Sequence, residues 1–121
     1  VASLTGKSFD SPDETRTPDK TKVEVVDLGG AKAARMTLQP GWTWSSCIKP
    51  VAGTDSCQSA HLGVVVSGAL HVTADDGSEL DVTAGGVYRI EPGHDAAVVG
   101  NEPFVAYEFE STSAENYAKG S

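Results

Sequence analysis

Turn signals set the frame for this chain. From residue 22 onward they recur at Gly29-Gly30, Pro40-Gly41, Gly68, Asp76-Gly77, Gly85-Gly86, Pro92-Gly93 and Gly100 to Pro103. The segments between them are too short for the amphipathic helices of a βαβ unit, and they are rich in Val, Ala, Leu and aromatic residues. Short strands with turn signals roughly every eight to twelve residues point to a sandwich or barrel. The expectation is an all-β fold.

Residues 22–28 read as a first strand. In 31–39, Ala34, Met36 and Leu38 form an apolar face that should point inward, because alternate side chains of a strand share a face. Residues 42–48 read as a third strand and 50–58 as a loop. Residues 61–67 form a near-continuous apolar strand closed by Gly68. The strongest local signal is 69–82, where Asp76-Gly77 supplies the positive φ of a tight hairpin turn. Within it His71 has parity opposite to Leu70 and Val72 and reads as a surface or satisfied polar group. Residues 87–91, 94–99 and 104–110 complete the strands.

The ends differ from this middle. Residues 1–21 are polar and read as an arm, with Ser11-Pro12-Asp13-Glu14 placed to form one helical turn. Thr112-Ser113-Ala114-Glu115 is a capping box and predicts a short C-terminal helix over 112–121. The organisation expected is an arm (1–21), a β-barrel (22–111) and a helical tail (112–121).

Bulk properties narrow the function. The 121 residues suffice for one domain, and the net charge of −8 disfavours nucleic acid and anionic membrane surfaces as partners. No apolar run reaches the roughly 18 residues of a transmembrane helix, and the N-terminus has no charged-then-apolar signal pattern. The expectation is a cytoplasmic protein without membrane contact. Two cysteines are too few for a disulfide scaffold.

Two stretches resemble the paired motifs of the cupin superfamily, over residues 22–110. In the first, Gly41 is followed after five residues by Cys47, where a ligand histidine usually stands. His61 precedes Gly68 by six residues and stands where a ligand glutamate usually stands. In the second, anchored on Gly93, the usual histidine position falls on Ala96, with His94 two residues earlier and so on the same strand face; anchored on Pro92, it falls on Ala97. The run Lys49 to Gln58 and the tetrad Pro92-Gly93-His94-Asp95 look closest to a group of small bacterial cupins. The resemblance implies a jelly-roll barrel. It also implies an aromatic residue where Ala97 stands and a charged one where Ser46 stands, which would make this a specialised or engineered variant with a roomier mouth.

The resemblance also implies a metal site of Cys47, His61 and His94, with Cys57 in reserve. Thiolate and imidazole together suit Zn, Fe, Ni or Cu better than Mg or Ca. Met36 and Tyr88 are the candidate substrate-lining residues. Asp55, Glu91 and Asp95 read as a solvated acidic rim, and pairing of Cys47 with Cys57 as a disulfide ranks below ligation or free thiols. The function implied is metal-dependent chemistry on a small organic molecule, of oxygenase, isomerase or lyase type. The alternative is a non-catalytic ligand-binding or sensing barrel, with or without metal. A homodimer is expected, because barrels of this length have strand edges that need cover.

Overall fold

The structure is a computed structural model that describes residues 3–109. Among the described residues, nine strands form two antiparallel sheets. The larger contains β1 (Glu14–Arg16), β2 (Thr21–Asp27), β3 (Lys32–Leu38), β4 (His61–Ser67), β7 (Val87–Ile90) and β9 (Phe104–Phe109), in the order β1-β2-β3-β9-β4-β7. The smaller contains β5 (Ala69–Ala74), β6 (Glu79–Thr83) and β8 (His94–Val99), in the order β6-β5-β8. Among the described residues the sheets pack face to face but do not hydrogen-bond into a closed barrel; β6 and β7 remain edges.

Alternation decides which side chains enter the core. In β3, Ala34, Met36 and Leu38 are buried; in β9, Phe104, Ala106 and Glu108 are. These faces meet Val65 and Tyr88 from β4 and β7, and Leu70, Val72 and Val82 from the smaller sheet. Each large apolar side chain so buried contributes about 1.5–3 kcal/mol of transfer free energy. The hairpin forms as its sequence dictates: Gly77 has φ 91° and its N–H donates to Ala74 O at 3.0 Å. His71 lies outward, held by Asp81 and Glu79 at 2.7 and 2.9 Å.

Three expectations fail locally. Residues 42–48 are not a strand. Thr43 caps a short helix, α1 (Trp44–Cys47), by accepting from Ser46 N–H, and both tryptophans turn into the core. Trp42 is anchored by its indole N–H to Thr21 Oγ1 at 2.9 Å, so burial and one hydrogen bond outweigh the β preference of its neighbours. The loop expected at 50–58 begins with a second turn of helix, α2 (Lys49–Ala52), with Pro50 in its first turn and Gly53 closing it at φ 74°. Ser11-Pro12-Asp13-Glu14 does not form a helical turn. Glu14 instead opens β1, whose pairing with Val23–Val25 makes part of the arm an edge strand of the larger sheet. The helix expected over 112–121 lies outside the described residues.

Candidate metal centre

The centre is built where three chain segments cross at one end of the sheets. His61 is the first residue of β4 and pairs with Ile90 of β7. His94 is the first residue of β8 and pairs with Ala74 of β5. Cys57 joins them through the backbone. Its N–H donates to His94 O at 2.7 Å, and its carbonyl accepts from Gly93 N–H at 2.6 Å. This bridge holds the end of the 53–60 loop as one extra strand residue beside β8.

The three side chains are buried, and one ligand atom from each lies within 4.8 Å of the other two. Cys57 Sγ is 3.7 Å from His61 Nε2. The imidazole rings meet edge to face, with centroids 5.0 Å apart. Both Nδ1 atoms are already committed. His61 Nδ1 donates to Glu108 Oε1 at 2.9 Å, and His94 Nδ1 donates to Glu91 O at 2.9 Å. A carboxylate and a carbonyl can only accept, so each Nδ1 carries the proton and each Nε2 is the ligand-type nitrogen. Glu108 is held from the other side by Tyr88, whose hydroxyl donates to Oε2 at 2.6 Å.

Electrostatics follow from this packing. Burial pushes the Cys57 thiol up, but hydrogen bonds and charge from His61 and His94 more than offset it and bring it down to about 6. Burial pushes the His61 imidazole down, and the opposing Glu108 charge together with Cys57 raises it to about 10. Burial opposes the charged forms of both groups, while their pairing with each other and with Glu108 favours a thiolate beside an imidazolium. A cation replacing the His61 proton would meet one thiolate and two imidazoles.

The outcome for the sequence-derived residues is mixed. His61 and His94 lie side by side, with ring centroids 5.0 Å apart. Cys57, held in reserve, is the thiol that joins them. Cys47 lies apart in α1, where its Sγ contacts Asp19 Oδ2 at 3.8 Å and Ser46 Oγ at 3.6 Å. Both cysteines are free thiols. Met36 and Tyr88 line a small interior chamber of about 20 Å³ together with His61, His94, Ala96 and Glu108. Ala96 shares the chamber face with His94, as strand parity requires. Asp55 is solvent-exposed, Glu91 pairs with Arg89, and Asp95 accepts from the Ser45 and Ala96 N–H groups. Glu108 was missed. Its signal is the inward register of Phe104, Ala106 and Glu108, which puts a carboxylate in the core and demands partners for it.

No family model matches the chain, and no curated protein matches it in sequence. Solved structures do resemble it in fold. A protein of unknown function from Rhizobium leguminosarum superposes with a TM-score of 0.64 at 14% identity, covering 89% of this chain and 96% of that one. The cupin domain of Schizosaccharomyces pombe Cnp3 gives 0.57 at 15% identity, over 94% and 79% of the two chains. An oxalate decarboxylase from B. subtilis gives 0.63 at 17% identity and covers 93% of this chain, but this chain spans only 31% of that enzyme. These likenesses, with the two facing antiparallel sheets, give the chain the cupin-type fold, a double-stranded β-helix.

Proposed function

We propose that this chain is a metal-binding cupin that acts on a small organic molecule by oxygenase, isomerase or lyase chemistry. The observation that carries the reading is the donor set itself: one thiol and one ring nitrogen from each histidine, all within 4.8 Å of one another, with both Nδ1 atoms already hydrogen-bonded. The ligands are Cys57, His61 and His94, with Cys57 replacing Cys47 in the role the sequence suggested. This soft and borderline set suits Zn, Fe, Ni or Cu. Bound there, such a metal supplies Lewis-acid polarisation of a substrate oxygen or, if redox-active, reaction with dioxygen. The chain's own part is to present the donors, keep both imidazoles in one tautomer and exclude bulk water. Three protein ligands leave coordination positions open, which is the arrangement of catalytic sites.

The interior chamber, at about 20 Å³, holds no more than a water-sized guest. That size favours a metal over a metal-free barrel with an apolar ligand inside. A non-catalytic sensor would use the same donors and differ only in lacking turnover. A cytoplasmic location and a homodimer complete the proposal. The dimer is supported by the outward face of the larger sheet, where Leu62, Val64, Val87 and Tyr107 share one side and Leu62 and Val87 are exposed.

The test is metal content. Untagged protein is incubated with Zn²⁺, Fe²⁺, Ni²⁺ or Cu²⁺, desalted and measured by plasma emission. About one equivalent of at least one metal is expected. Less than roughly a tenth of an equivalent for all four would overturn the reading.

A further inference from the structure

A second, larger space lies outside the chamber. It is an open cleft of about 460 Å³ between the tip of the β5–β6 hairpin and the loop joining β7 to β8. That volume falls in the range of small-molecule sites. Its floor is apolar, with Val72, Leu80, Ile90 and Pro92. Its rim carries Asp75, Asp76, Glu79 and Glu91 against Arg89.

Two residues line both spaces. Val72 and Ile90 border the cleft on one side and the chamber with His61 and His94 on the other. They come from different sheets, Val72 from the middle of β5 and Ile90 from the end of β7. Among the described residues, no strand-to-strand hydrogen bonds tie the sheets together along this edge, because β6 and β7 are both outermost. Ile90 is only partly buried and sits opposite His61 in the β4–β7 register. A rotamer change at its side chain moves a few methyl groups and breaks no hydrogen bond.

We infer that the cleft is the route to the chamber, that Ile90 and Val72 are the partition across it, and that it admits uncharged or cationic small organic molecules over carboxylates. The chamber is too small to hold an organic substrate, so a reacting molecule sits in the cleft and presents one end through the partition. Four rim carboxylates against one guanidinium raise the local cost of an anion. As a substrate route the inference rests on the proposed function; as a passage it does not, because it is read on metal-free protein.

The reporter is Cys57, which is buried at 2% exposure with its Sγ 3.7 Å from Nε2 of His61, a residue of the chamber wall. In a Cys47→Ser background, metal-free protein is alkylated with iodoacetamide, and the rate at Cys57 is followed by peptide mass. Alkylation forms an S–C bond as iodide leaves. Ile90→Ala should accelerate it about tenfold and Ile90→Val by a smaller factor, corresponding to a lower barrier to entry. Val82→Ala, buried in β6 but bordering neither space, is the control for general loosening and should leave the rate within about twofold. Iodoacetate, the same reagent with a carboxylate, should be disfavoured relative to iodoacetamide more strongly at Cys57 than at free cysteine. Asp75→Asn with Glu79→Gln should reduce that discrimination. Equal acceleration by Ile90→Ala and Val82→Ala, or none by Ile90→Ala, overturns the partition. Discrimination equal to that of free cysteine overturns the charge selectivity. A protein that binds no metal yet shows the Ile90 effect keeps the passage and loses only the metal reading.

Discussion

Glu108 enters the core from β9 with both carboxylate oxygens engaged, one by the His61 ring and one by the Tyr88 hydroxyl. A buried carboxylate is costly unless paired and hydrogen-bonded, and here it has both. Glu108→Gln keeps the volume and removes the charge. It should lower the His61 pKa from about 10 toward the ordinary imidazole range, read by histidine proton NMR on metal-free protein. An unchanged value would mean that Glu108 is not what holds the imidazolium. Cys57 gives a second residue-level prediction. Its ultraviolet thiolate absorbance should titrate near pH 6 rather than near the ordinary value of 9, and Cys57→Ser should abolish that step. The linkage signs are opposite. The lowered thiol contributes stability that is present above pH 9 and lost as pH falls through about 6. The raised imidazole contributes stability present below pH 6.5 and lost as pH rises through about 10. Between these limits both charges persist. A thiol step near pH 9 would contradict the hydrogen-bonded geometry.

Elements place these residues, and glycine matters at two points. A Cβ at Gly63 would lie 2.5 Å from Tyr107 O, 2.8 Å from Tyr88 Oη and 2.9 Å from Glu108 Cγ. Gly63→Ala should therefore destabilise by about 1–3 kcal/mol, the usual range for overpacking, as measured by urea unfolding. An unchanged midpoint would mean that β4 and β9 are not so closely packed. At the hairpin, Gly77→Val should cost about 1–3 kcal/mol through strain at positive φ, with open space around it. An unchanged melting temperature there would contradict the turn. Much of this scale was legible in the chain. Ala34, Met36 and Leu38 alternate as read, and Asp76-Gly77 turns as read. Trp42 to Cys47 was not legible as helix, because one capping threonine, the anchored Trp42 and the burial of Trp44 decided it against local β preference. The placing of Cys57, and not Cys47, beside the two histidines was hidden for a different reason. It depends on a backbone bridge from Cys57 to His94 across 37 residues of chain, which no periodicity encodes.

At the scale of the molecule, the described residues form two sheets that meet along the apolar core, with β6 and β7 left as edges. Among the described residues, no helix is long and apolar enough to cross a membrane. A dimer through the outward face of the larger sheet predicts a sedimentation mass of two chains at micromolar concentration, and the mass of one chain would contradict it. The candidate metal centre sits at the crossing of both sheets and the 53–60 loop, so it reports on the assembly of the described fold. The most direct measurement compares two single thiol substitutions. Wild type, Cys47→Ser and Cys57→Ser are loaded with the metal that wild type retains best, desalted and assayed for bound metal, with circular dichroism confirming the fold. The expectation is that Cys47→Ser keeps near-wild-type metal while Cys57→Ser loses most of it, as His61→Ala and His94→Ala also should. Retention by Cys57→Ser together with loss in Cys47→Ser would contradict it.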